Sequence, residues 1–128
     1  MTSLEPLKIE TCGIILGTEN FDACVRFYRD IIGLPVWYVK SKLVCLRFGD
    51  GYLMIETGGK ASSQIKLNDE SPTMLRFNVK DVRATAKQLT ERGVTVKIAD
   101  YDWGTVGTFA DPDGNKCELK NADDPFFS

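Results

Sequence analysis

Any chemistry in this chain has to be done without histidine, because none of its 128 residues is one. That removes the Ser–His–Asp and Cys–His nucleophile systems and the commonest transition-metal ligand. What remains is carboxylate, lysine, tyrosine, arginine and cysteine chemistry. The four cysteines are Cys12, Cys24, Cys45 and Cys117. No C-x-x-C pair occurs among them, which argues against a structural zinc site or a redox dithiol. Cys24 falls in a helical apolar pattern and the others in strand-like segments, so buried thiols acting as small hydrophobes are expected. The aromatic residues offer more. Trp37, Tyr38, Tyr52, Tyr101, Trp103 and Phe109 suit core or subunit packing, but Trp103 sits in an acidic, glycine-ended stretch, Asp100-Tyr101-Asp102-Trp103-Gly104. Indole and phenol faces there can stack on a flat ligand, and the carboxylates favour a cation.

These residues must be positioned by a single domain of ordinary globular composition, 43% apolar and 27% charged. Sixteen basic residues against 18 acidic ones leave a net charge of −2. A mildly acidic domain is a poor partner for nucleic acid or anionic membranes. The first ten residues show no signal-peptide pattern and no apolar run approaches bilayer length, so a cytoplasmic protein with reduced thiols is expected.

The elements repeat. Ile14-Ile15-Leu16 ends at Gly17 as a short strand, and Asn20 stands where a helix cap belongs. Phe21, Cys24, Val25, Tyr28 and Ile32 form one helical face, which Gly33 terminates. Strands are expected over Val36 to Val39, Leu43 to Phe48 and Tyr52 to Thr57, the last two joined by Gly49-Asp50-Gly51. A polar segment, 58–72, reads as a linker. The order then recurs: a strand over Met74 to Val79, a helix capped by Asp81 and ended by Gly93, strands over Val94 to Ile98 and Thr105 to Ala110, the turn Asp111-Pro112-Asp113-Gly114-Asn115, and a closing strand over Lys116 to Leu119. Asn20 and Asp81 lie 61 residues apart, Gly33 and Gly93 lie 60 apart, and Glu56 and Glu118 lie 62 apart. One period fits all three pairs, which marks an internal duplication. The fold class is therefore α+β, with two tandem βαβββ modules (about 9–57 and 73–120).

The helix sequence from Phe21 to Leu34 and the closing Asp111-Pro112-Asp113-Gly114-Asn115-Lys116-Cys117-Glu118-Leu119 resemble the vicinal oxygen chelate superfamily, which includes glyoxalase I, the bleomycin resistance proteins and the extradiol dioxygenases. The resemblance covers about residues 9 to 120 and implies that the two modules form a curled, open mixed sheet around a cavity. It implies four metal-ligand positions, two per module, which fall on Gly13, Glu56, Met74 and Glu118. Glycine has no ligating side chain and thioether suits hard divalent ions poorly, so only Glu56 and Glu118 remain and no metal or other cofactor is expected. Strand alternation then puts Gly13, Ile15, Gly17, Tyr52 and Met54 on the cavity side in module one, and Arg76, Asn78, Lys116 and Lys120 in module two. Arg76 is placed between Glu56 and Glu118, where it either neutralises them or binds an anionic ligand group.

The resemblance implies a metal-free protein that binds an aromatic or amphiphilic small molecule through Arg76, Tyr52, Met54, Met74, Asn78 and Trp103. The alternative is a lyase or isomerase of the glyoxalase type, with Glu56 or Glu118 as the proton-transfer base and a divalent metal. It also implies a homodimer, with Phe126 and Phe127 as candidates for docking on the partner.

Overall fold

The computed structural model describes residues 4–123. Phe126 and Phe127 lie outside the described residues. The first module runs β1 (Gly13–Thr18), α1 (Phe21–Arg26), a π-helical turn (Phe27–Ile32), β2 (Val36–Lys40), β3 (Leu43–Phe48) and β4 (Gly51–Thr57). The second runs β5 (Leu75–Val79), α2 (Val82–Glu91), β6 (Lys97–Tyr101), β7 (Gly104–Ala110) and β8 (Lys116–Asn121). Each helix carries the chain from one edge of its sheet to the other, and three strands meander back. The sheet orders are β1-β4-β3-β2 and β5-β8-β7-β6, with the first pair parallel and the rest antiparallel. The duplication is thus a duplication of topology, and neither mixed sheet closes.

Four local expectations need correction. The expected helix over Phe21 to Ile32 is α-helical only as far as Arg26 and finishes as a π turn, with Gly33 at φ 93° as its left-handed stop. Asn20 stands at the cap position of α1, but its side chain makes no capping bond there. Asp81, by contrast, does cap α2 by accepting from the Ala84 N–H. The strand expected over Val94 to Ile98 lies at Lys97–Tyr101, because Val94 and Val96 are drawn down against the core at the exit of α2. The segment Asp100 to Gly104 is accordingly the tip of the β6–β7 hairpin and not a free loop.

Alternation separates the two faces of each sheet. Ile14, Leu16, Leu53, Ile55, Val44 and Leu46 pack inward in module one, and Leu75, Phe77, Cys117, Leu119 and Phe109 do so in module two. The core is one cluster that includes both helices. Aromatic rings bridge the modules: Phe48 stacks on Phe77 at 5.5 Å, Phe77 on Phe109 at 6.3 Å, and Phe27 of the π turn meets Phe109 at 6.1 Å. Such pairs contribute about 0.5–1.5 kcal/mol each beyond their buried area.

A polar clasp joins the modules as well. Asp113, at 0% exposure, accepts from the backbone N–H of Glu19 (2.7 Å) and from the backbone and side-chain N–H of Asn20 (3.1 and 2.8 Å). Burial pushes the Asp113 carboxyl up, but the donors of Glu19, Asn20 and Cys24 outweigh it and hold it below the usual carboxylate range. Asp111 accepts from the Tyr28 hydroxyl at 2.6 Å and from its own turn at Asp113 and Asn115. The polar segment 58–72 is stitched down beside the clasp, with Ser62 N–H donating to Asp113 O and Lys66 N–H to Gly114 O.

Candidate functional site

The faces turned away from the helices carry the residues of interest. In module one the ladder sets Gly13 beside Tyr52 and Tyr52 beside Arg47, then Ile15 beside Met54 and Met54 beside Cys45, then Gly17 beside Glu56. A bulge between Val36 and Tyr38 brings in one more side chain, Trp37. Its ring lies 5.7 Å from Tyr52 and 5.4 Å from Tyr38, and the Arg47 guanidinium sits 4.0 Å over it. The Tyr52 ring lies across Gly13, where a β-carbon would stand, so only glycine is tolerated there without moving the ring. Trp37 remains 42% exposed and Ile15 61% exposed. The result is an open, aromatic floor topped by a cation–π pair. Desolvation and the neighbouring Cys45 thiol hold the Tyr38 hydroxyl above its ordinary value, so it is a neutral donor.

Module two has the same ladder and different chemistry. Arg76, Glu118 and Thr108 are neighbours across three strands, and Arg76 Nε donates to Glu118 Oε1. The Glu118 side chain is 9% exposed and that of Arg76 41%. Asn78, Lys120 and Val106 form the next row. Lys120 is fully buried; its ammonium donates to Trp103 O at 3.4 Å and Asn121 Oδ1 at 3.1 Å and lies 5.4 Å from the Trp103 ring. It lies where Gly104 has no side chain. Trp103 is stacked on Tyr101 at 4.7 Å with the rings 3° from parallel. A hollow of about 500 Å³ lies over β6 and β7, with Lys97, Tyr101 and Thr108 among its walls.

The sequence-derived site is therefore divided between two faces. Arg76 pairs with Glu118, and among the described residues it forms no ion pair with Glu56. Met74 precedes β5 and is 37% exposed, so it is not the in-strand position expected for it. Trp103 already has Tyr101 on one face and Lys120 near it. The four positions implied for a metal do not fit one: a ring covers Gly13, Met74 lies off the strand and an arginine holds Glu118. Among the described residues no three His, Cys, Asp or Glu side chains are grouped to hold an ion. Three of the four cysteines are poorly placed as nucleophiles. Cys24, Cys45 and Cys117 are buried, and burial pushes Cys117 up to about 12 and Cys24 higher still. Cys12, expected to be buried, is exposed and lies just ahead of β1. Sequence reasoning missed Arg47. The hairpin signal at Gly49 to Gly51 could have found it, since a short turn there sets Arg47 across from Tyr52.

The architecture is that of a paired βαβββ protein with open sheets. Residues 9–119 match the family model for the Glyoxalase/Bleomycin resistance protein/Dioxygenase superfamily, and the chain belongs to that superfamily. It is 29% identical over 119 residues to the uncharacterized protein YraH of Bacillus subtilis (strain 168), covering 83% of this chain and 93% of YraH. Among solved structures it is similar to SMU.1112c, with a TM-score of 0.72 at 25% identity over 91% of this chain and all (100%) of the other. It is also similar in fold to TnmS3, an antibiotic binding protein from Streptomyces sp. CB03234, with a TM-score of 0.69 at 21% identity over 91% and 98% of the two chains. No helix among the described residues is long and apolar enough to cross a membrane.

Proposed function

We propose that this protein binds a flat, apolar or amphiphilic small molecule on the open face of module one, without a metal. One observation carries the reading. The position where the superfamily's metal-binding members start their donor set is given over to the Tyr52 ring, with Trp37 and Arg47 beside it. A π-surface with a cation above it and Met54 next to Tyr52 suits stacking on an aromatic ligand with some anionic character. The same fold accommodates antibiotic binding in TnmS3. The enzyme alternative has less to work with. Glu118 is engaged by Arg76, which leaves Glu56 as the one carboxylate of the pair outside an ion pair.

The open face also supports the homodimer reading, in which a second copy covers Ile15 and Trp37 and encloses the ligand. The three buried free thiols suit a reducing compartment such as the cytoplasm. The test is a thermal-shift screen of flat aromatic antibiotics, run with EDTA and with added nickel, zinc or manganese. Hits should raise the melting temperature equally in both conditions by linkage, quench tryptophan fluorescence, and be lost in Trp37→Ala and Tyr52→Ala. Binding that requires a divalent ion, or stoichiometric metal in the purified protein, would overturn the reading.

A further inference from the structure

A largely apolar hollow next to the core lies away from both open faces. It is a cleft of about 510 Å³ on the helix side, where the end of the π turn and the β3–β4 hairpin of module one meet β5 and α2 of module two. Its volume lies in the range of small-molecule sites. Ile32, Leu34, Phe48, Phe77 and Leu89 make its walls apolar. Four consecutive residues of β5, Arg76 to Val79, line it. Side chains of a strand alternate between faces, so a cavity touches four in a row only along a free edge, and β5 is an edge strand.

The polar groups are asymmetric in charge. Thr85, Gln88, Leu89 and Arg92 are spaced at 0, 3, 4 and 7 along α2 and its cap, so one helix face lines the cleft. Among the described residues the charged groups lining it are Arg76 and Arg92, and no carboxylate lines it. Arg76 is satisfied by Glu118. Arg92 Nη1 donates to Ile31 O at 2.7 Å, a neutral acceptor that fixes the side chain without cancelling its charge. It has no ion-pair partner among the described residues. The helix-end carbonyls of Gln88, Leu89 and Thr90 are already occupied by backbone N–H groups of Arg92, Gly93 and Val94, which limits their pull on the cation. The cleft combines an apolar body with one anchored cation at its rim.

We infer that this inter-module cleft is a second binding site, for an apolar carboxylate whose chain lies against Phe48, Phe77 and Leu89 and whose head group is held by Arg92. It is independent of the open aromatic face. The probes are decanoate and decan-1-ol, which share a chain and differ in charge, titrated by calorimetry into the full chain. Decanoate should bind one to one and more tightly than the alcohol. Arg92→Gln should weaken decanoate roughly tenfold, the scale of one charge-assisted hydrogen bond, and leave decan-1-ol within about twofold. Gln88→Glu, which keeps the Arg92–Ile31 contact and adds a competing carboxylate one turn away, should weaken decanoate alike and decides the matter if Arg92→Gln folds poorly. Tyr52→Ala should leave decanoate binding unchanged. The inference is overturned if decanoate shows no binding up to about 1 mM. It is equally overturned if Gln88→Glu binds as well as the parent, or if Tyr52→Ala rather than the α2 variants abolishes binding.

Discussion

The two open faces of this molecule share a ladder and little else. Module one presents rings: Tyr52 over Gly13, Trp37 brought onto the open face by a bulge, and Arg47 on top. Module two presents charges that are already matched. Glu118 is held by Arg76, and buried Lys120 is held by Trp103, Asn121 and its other neighbours. Backbone hydrogen bonds fix the strands of both modules regardless of what the outward residues are, so the faces diverge freely after duplication. A buried charge already engaged by its neighbours offers little to an incoming ligand. An exposed aromatic floor offers apolar area at small desolvation cost. That contrast is why module one is assigned the aromatic ligand.

The comparison breaks most completely if the modules lose their mutual register. Asp113→Ala would leave the N–H groups of Glu19 and Asn20 without their acceptor at a part-buried site, and a loss of roughly 2–4 kcal/mol by urea denaturation is expected. The same carboxyl sets an acid limit. Its folded pKa is depressed, so its contribution is complete above the unfolded value near 3.8 and is lost as pH falls through the lower folded one. Asp113→Asn should therefore flatten the stability profile below about pH 4.

A sharper contrast sets Gly13 against Met74, the two first-strand positions. Gly13→Ala drives a β-carbon into the Tyr52 ring, and about 1–3 kcal/mol of destabilisation is expected along with weakened aromatic binding. Met74→Ala, at an exposed site before β5, should stay within about 0.5 kcal/mol. Equal effects at the two positions would remove the asymmetry between the faces.

A smaller effect than at Gly13 is expected at Arg76. Its removal leaves Glu118 nearly buried and unpaired, but Arg76 itself is substantially solvated, so about 1–2 kcal/mol is expected for Arg76→Ala in chemical denaturation. Aromatic binding on module one should be untouched. A loss of that binding would mean the two faces serve one ligand.

Periodicity made the modules legible. The alternation of Leu75, Phe77 and Val79 against Arg76 and Asn78 supported the face that the resemblance implied for the second set, and Leu75, Phe77 and Val79 do pack on the core. Bulges and strand offsets left no such trace. Nothing in Val36-Trp37-Tyr38 marks which residue is extra, and the slide of β6 to Lys97 depends on how Val94 and Val96 pack. Asp111-Pro112-Asp113-Gly114-Asn115 was readable as a turn. That its two carboxylates reach Tyr28, Glu19 and Asn20 was not, because those contacts depend on how one module sits against the other.

The clasp also has a consequence for biosynthesis. Asp113 meets Asn20 across 93 residues of sequence, so the start of α1 lacks its acceptor until that whole intervening stretch has been made. The rings of Phe77 and Phe109 that meet Phe48 and Phe27 are late arrivals too. Closing such distant contacts slows folding, and a nascent first module would wait with apolar surface uncovered. Its partner in folding is made well after it.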